Sequence, residues 1–409
     1  MPLSIALAFG GVIPLNTVHE LKGNIPRGGF PPSHRKEKTK AEIPHSNLDN
    51  EMRFIMKKAL LGTTALIASG LFAGSVMAAD IIADPVPAPV EEGFTVTVSG
   101  FAKAGFYFAD TDFRGDNATL VEWDSEIHFT ATQTLANGIQ VGARVELEGA
   151  TTGDQIDEHY LWLQGNFGRL EIGANDGAGS AGGPLAVAGP GYGALSGVNA
   201  PGQVGVRSGS GAPTGTSGDI SGDANKISYF TPRVSGFRAG VSFTPDTSTG
   251  GGAFVTFPAA GRAAQGTKNI LGAGLNFDNT FNDIRIGFGA GIQTGDAAAT
   301  TQARTVWHVG ALVGFGGFTI GGQYNNDNRA AAANVRSWVV SAAYTMGSWS
   351  VGAGYFHGKV SGGGNYDRIG GGVAYVLGKG VTVGASVNFE DDSVNGNGVI
   401  GGVGIATSF

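Results

Sequence analysis

Strict alternation of side-chain type runs through this chain from Phe94 to Phe409. In residues 121–130, VEWDSEIHFT, one face of an extended strand carries Val121, Trp123, Ser125, Ile127 and Phe129. The other carries Glu122, Asp124, Glu126, His128 and Thr130. Residues 139–148 repeat the pattern, with Ile139, Val141, Ala143, Val145 and Leu147 set against Gln140, Gly142, Arg144, Glu146 and Glu148. Asn137-Gly138 between them is a tight-turn signal. A helix would bring Glu122 beside Glu126 but leave Trp123 and Asp124 outside any stripe, so period two is the reading.

Sixteen segments read this way, near 94–108, 119–134, 139–149, 156–164, 169–174, 225–231, 236–244, 267–277, 284–293, 303–313, 317–325, 335–345, 349–356, 365–376, 381–389 and 398–409. Short connections such as Leu135–Gly138, Gly165–Gly168 and Met346–Ser348 alternate with longer polar, Gly-rich ones. Short turns on one rim and long loops on the other describe an all-β, 16-stranded antiparallel transmembrane barrel, the even count returning both termini to the periplasmic rim. A set of soluble sandwiches would need two apolar faces meeting in a core, and no blade repeat of a propeller is visible.

Composition agrees. Gly supplies 71 of 409 residues without a Gly-X-Y period, and mean hydropathy is +0.04, which suits neither a helical membrane protein nor a disordered chain. The absence of Cys excludes a disulfide framework and thiolate chemistry. Aromatics gather near expected strand ends, namely Phe94, Trp123, Phe129, Trp162, Phe243, Trp307, Tyr324, Trp338, Tyr344, Trp349, Tyr355, Tyr375 and Phe389, as interfacial anchors would.

Residues 56–78 read as a secretory signal: Lys57 and Lys58, then an apolar run from Ala59 to Ala73, then small residues placing cleavage after Ala78. Such a signal is read at an N-terminus, so residues 1–55 are expected to be a misassigned start or a disordered extension, with translation from Met52 or Met56. Residues 79–93 form a Pro-rich periplasmic leader, and 94–409 the barrel. Removing residues 1–79, with 9 basic and 5 acidic side chains, leaves 26−9=17 basic and 33−5=28 acidic, a net charge of −11. That balance argues against a nucleic-acid partner.

One connection, between Gly173 and Asn225, is far longer than the rest. By strand count it is the third outside loop. Its small residues suit packing against a barrel wall, and its Gly/Ser content equally suits a flexible outside loop. It carries Asp176, Asp219 and Asp223. Pore-wall candidates on the polar face are Lys103, Arg144, Arg238 and Arg285 among the bases and Glu122, Asp124, Glu126, Glu146 and Glu148 among the acids. Charges of opposite sign facing each other in a narrow lumen set up a transverse field; singly, each is also an ordinary residue wetting a water-filled interior.

No catalytic motif, nucleotide fingerprint or cofactor signature is present. Gly378-Lys379-Gly380 lacks the spacing of a phosphate loop and reads as a turn. His128, His159, His308 and His357 show no metal-ligand spacing, and Asp391-Asp392 is at most a weak divalent-cation signal, so no metal site is expected.

Four stretches resemble one family: VSGFAKAGFYF (98–108), GNFGRLEIGANDGA (165–178), NKISYFTPRVSGFRAGVSFTP (225–245) and VGIATSF (403–409). Together they are similar to the Gram-negative general-diffusion porins, trimeric 16-stranded barrels of the outer membrane. The resemblance implies a homotrimer, a third loop folded into the lumen to narrow each pore, and passive diffusion of small hydrophilic solutes. It also implies outer-membrane lipid and lipopolysaccharide as surroundings. The assembly machinery would read Phe409 as its signal. Many relatives carry an Arg just after the fifth-strand Gly; here Gly173 is followed by Ala174-Asn175-Asp176, and Lys103, Arg144 and Arg169 are left to supply the basic wall. With net charge −11, weak cation selectivity is the leading expectation. A sugar-specific channel and a structural or adhesive surface barrel are the alternatives.

Overall fold

The computed structural model describes residues 93–409, apart from 113–117, 150–154, 192–215, 217, 248–265, 298–301 and 332. The expected extension 1–55, the signal 56–78 with Ala78, and the leader up to residue 92 lie outside the described residues.

Sixteen strands follow one another: β1 (Thr95–Thr111), β2 (Ala118–Thr134), β3 (Gln140–Glu148), β4 (Ile156–Gly165), β5 (Gly168–Ala174), β6 (Asn225–Phe230), β7 (Phe237–Asp246), β8 (Lys268–Phe281), β9 (Ile284–Asp296), β10 (Ala303–Phe315), β11 (Phe318–Asp327), β12 (Val335–Met346), β13 (Trp349–Val360), β14 (Asn365–Gly378), β15 (Val381–Asp392) and β16 (Gly396–Ser408). Each pairs antiparallel with its neighbour in sequence, and β1 pairs with β16 to close the barrel. Gly100 and Phe409 complete the seam by exchanging backbone hydrogen bonds of 2.9 and 3.1 Å. A closed ladder leaves no unpaired edge, which is what hydrocarbon demands of β-structure.

These are the sixteen segments expected from the alternation, with ends shifted by a few residues. The largest shifts carry β13 to Val360 at the outer rim and β8 to Phe281 at the short-turn rim, each four residues past its expected end. The two-residue pattern is interrupted there, by His357-Gly358-Lys359 on β13 and by Asp278-Asn279-Thr280 on β8, while the hydrogen-bonded hairpin continues. Gly138 adopts φ 80° in the β2–β3 turn, a left-handed conformation that the Asn-Gly pair anticipates.

Parity sorts the side chains. Outward lie Val121 (77% exposed), Trp123, Ile127, Phe129, Leu161, Ile172, Val340, Ile369 and Val403. Inward and buried lie Ser242, Asn276, Gln293, His308, Gln323, Ser341 and Glu390. Apolar outside and polar inside is the reverse of a soluble domain and matches a barrel whose solvent is lipid. The outer aromatics meet in cross-strand contacts. Phe237–Phe277, Phe318–Tyr344 and Trp349–Tyr375 have centroids 4.6, 4.3 and 4.7 Å apart near the short-turn rim, with Trp307–Tyr324 and Trp338–Tyr355 towards the other. Trp162 departs from the expected belt. It pairs with Gly142 in register, shares the inward parity of Arg144, and is 5% exposed.

Candidate functional site

The inner wall is built by the inward residues of the strands and by what the chain does after β5. From Ala174 the described backbone does not lead away from the barrel. Asp176 N donates to Glu158 Oε1 (3.1 Å) and Ala178 N to Ser242 Oγ on β7 (3.2 Å). Asn276 Nδ2 on β8 donates to Leu185 O (3.3 Å), and Gln323 Nε2 on β11 to Ala181 O (2.9 Å). On the returning limb, Ile220 N donates to Gln293 Oε1 on β9 (2.8 Å). Every one of these strand partners points inward.

Apolar contacts add to the seat. Ala178 and Leu185 pack on Phe230, and Ile220 packs on Ile270 and Val306. The wall beneath is glycine-lined. A Cβ on Gly274 would collide with the carbonyl oxygen of Ala178, and one on Gly310 with that of Val187. The two limbs are tied together by Lys226, 3% exposed, whose Nζ donates to the carbonyl oxygens of Asn175 and Gly222. Residues 192–215, between the limbs, lie outside the described set.

The three loop carboxylates sit around that tie. Ser180 Oγ donates to Asp176 Oδ1 (3.1 Å), and Ser221 N and Oγ both donate to Asp219 Oδ1 (2.7 and 2.9 Å). Burial, reinforced by Asp219, holds the Asp176 carboxyl above the usual range. Asp223 is pushed up to about 6, by burial first and then by the charges of Asp157 and Asp176.

The pore-wall candidates all project inward, in two groups along the barrel axis. On β1–β3, from mid-strand (Lys103, Arg144) towards the outer rim, are Lys103, Glu122, Asp124, Glu126, Arg144 and Glu146. Lys103 Nζ pairs with Asp124 Oδ2 at 2.8 Å. Arg144 Nε pairs with Glu146, while its Nη2 lies 2.8 Å from His128 Nδ1. His128 Nε2 faces Glu126 Oε2 at 3.2 Å and Glu146 Oε2 at 3.8 Å. The Glu126–His128–Glu146 ligand atoms lie within 4.8 Å of one another, close enough to hold a metal ion. Arg144 already serves both Glu146 and the ring. A guanidinium can only donate, so Nδ1 accepts from it, and the cluster as it stands is organised around the Arg144–Glu146 ion pair. Sequence spacing missed this cluster because Glu146 arrives by register, opposite His128.

The second group lies at the inner ends of β5–β9. Arg169 Nε donates to Glu171 Oε1 (2.5 Å), and its guanidinium lies 4.5 Å from the centroid of Trp162. The Arg238 guanidinium lies 4.8 Å from the centroid of Phe230. Arg285 is paired with Asp278 through two hydrogen bonds, of 3.0 and 2.6 Å. Asp391 and Asp392 are successive residues of β15, so they point to opposite faces and do not converge on one ion.

Known proteins share this architecture. The family model described as Gram-negative porin matches residues 62–395. An uncharacterized protein of Rickettsia bellii (strain RML369-C) is 24% identical over 313 residues, covering 71% of this chain and 70% of that protein. Among solved structures, the anion-selective porin from Comamonas acidovorans is similar with TM-score 0.58 and 18% identity, over 77% of this chain and all of that one. The trimer form of the outer membrane protein OmpT of Vibrio cholerae is similar with TM-score 0.51 and 14% identity, over 78% of this chain and all of that one.

Proposed function

The chain belongs to the Gram-negative porin family, an outer-membrane channel barrel, and from that premise we propose a water-filled pore for passive diffusion of small hydrophilic solutes and ions, weakly selective for cations. The observation that carries the selectivity is the inward charge on β1–β3. Glu122, Asp124, Glu126, Glu146 and Glu148 face the lumen against Lys103 and Arg144. A carboxylate-rich wall raises the local cation concentration and repels anions entering from the same end.

The connection after β5 supports a constriction. Its described limbs bond to inward side chains from β4 to β11 and so occupy bore that an empty barrel would leave to water. Asp176, Asp219 and Asp223 then sit on the loop side of the narrowed path. In this reading Lys103 and Arg144 are the basic groups on the β1–β3 side, with Arg169, Arg238 and Arg285 towards the inner end. Homotrimeric assembly is part of the same proposal, supported by the V. cholerae trimer form and by the short strands β3–β5.

The test is reversal potential in a planar bilayer under a KCl gradient. The expected sign is that of potassium preference. Chloride preference would overturn the selectivity, and a silent bilayer with folded protein would overturn the channel.

A further inference from the structure

The structure points to an oxyanion-binding site at the periplasmic end of the pore wall, and we propose that Arg238, Arg169 and Arg233 build it. The inference rests on the pore reading, because the site needs access to water through the lumen.

The three guanidiniums form a row fixed by register. Arg169 on β5 pairs with Phe230 on β6, and Arg238 on β7 lays its guanidinium over the Phe230 ring. Arg238 pairs in turn with Asn276 on β8, and Arg233 in the β6–β7 turn donates to Asn276 Oδ1 at 2.7 Å. Phe230 on β6 therefore separates Arg169 from Arg238, two strands apart, and Asn276 holds the Arg233 guanidinium beside Arg238 on the next strand. Arg233 is held further by Gly236 O at 2.5 Å. Arg169 is held by Glu171 Oε1 at 2.5 Å and Gln164 Oε1 at 3.2 Å. Arg238 differs. Among the described residues no carboxylate makes an ion-pair contact with it: its guanidinium rests over an aromatic face, and Glu171, already bonded to Arg169, acts on it only from further off.

The neighbourhood does not cancel the charge. Arg285 at the same end is matched by Asp278, and Arg169 by Glu171, which leaves Arg233 and Arg238 in excess. A ring offers a guanidinium no hydrogen-bond acceptor for its five N–H groups. With its guanidinium over Phe230 and no carboxylate bonded to it, Arg238 can offer its planar fork to two oxygens of a phosphate or carboxylate group, an arrangement a point charge does not reproduce. Inward bases elsewhere on the described strands (Lys103, Arg144, Arg304 and Arg368) are each paired with a carboxylate, so this is the described stretch of wall where positive charge is in excess.

The probe is inorganic phosphate acting on the full-length protein, read two ways. In detergent, wild type should broaden the phosphorus resonance saturably. In bilayers, phosphate should reduce single-channel current beyond the effect of chloride at equal ionic strength. Arg238→Gln should weaken both responses about tenfold, the size of one charge-assisted hydrogen-bonded pair. Arg238→Lys should recover part of the loss, since it keeps charge without the fork. Lys359→Gln, on the outward face of β13, should respond as wild type. Equal responses in Arg238→Gln and wild type would overturn the site, as would phosphate behaving like chloride. A silent bilayer would count against the pore alone, with the resonance width still deciding the anion site.

Discussion

Asp223 shows how a single side chain on the loop would tune the pore. Its carboxyl is pushed up to about 6 by burial and by Asp157, Asp176 and Asp219, with Lys226 pulling the other way. With that value the group is about nine-tenths ionised at pH 7 and about one-tenth at pH 5. Cation preference should therefore fall as pH drops through 6, and Asp223→Asn should flatten that step in the reversal potential between pH 7 and 5. A step of unchanged size in the variant would show that other groups carry it. Stability has the opposite sign. A raised carboxyl favours the protonated folded state, so this contribution is fully present below the ordinary value of 3.8 and is lost as pH rises through about 6. Residue type and parity were legible in the sequence; partnership was not. Nothing in VEWDSEIHFT announces that His128 will meet Glu146 and Arg144, because that meeting depends on how β2 and β3 slide against each other. The inward face of Trp162 follows from the alternation of β4, with Leu161 and Leu163 outward; nearness to a strand end alone assigns it to the belt.

At the scale of elements, strands were readable because lipid outside and water inside impose the same two-residue period on each of them. The loop was not. Its Gly/Ser composition fits a free segment as well as a seated one, and what selects the seat is the wall opposite. Gly274 and Gly310 leave room for the carbonyls of Ala178 and Val187, while Asn276, Gln293 and Gln323 supply the hydrogen bonds. Gly310→Val puts a side chain where Val187 O now lies, an overpacking cost of about 1–3 kcal/mol directed at the loop. The expected outcome is a larger single-channel conductance as the limb lifts from the wall. Gly182→Ala, where a Cβ meets nothing within 4 Å, is the control and should leave conductance unchanged. Wild-type conductance in folded Gly310→Val would mean that this limb does not set the bore.

At the scale of the whole molecule, the barrel wall is uneven. β1 and β2 have 17 residues each and β8 and β14 have 14, but β3, β4 and β5 have 9, 10 and 7, and the adjoining β6 has 6. At about 3.3 Å per residue and a tilt near 40°, a seven-residue strand climbs roughly 18 Å, short of the roughly 25 Å apolar band a lipid-facing barrel presents. The outward residues of this sector are aliphatic but for His159, which is paired with Val145: Val141, Ala143, Val145, Leu147, Leu161, Leu163, Leu170 and Ile172. Its outward face lacks the paired aromatics that anchor β7–β14 at the lipid–water boundary. A face too low for lipid and without interfacial anchors is stable when a second copy of the chain covers it, which places the subunit contact of the proposed trimer on β3–β5. The chain contains no Cys, so single-Cys labels report without interference. Leu161 (60% exposed in one subunit) lies in this sector, and Val340 on β12 (52%) lies among the anchored strands. A bimane label on Leu161→Cys should be shielded from brominated acyl chains in the native oligomer, and one on Val340→Cys strongly quenched. The detergent-extracted protein should have three times the mass of one chain. Equal quenching at both positions would show that lipid covers β3–β5 after all, and a single-chain mass would remove the trimer itself.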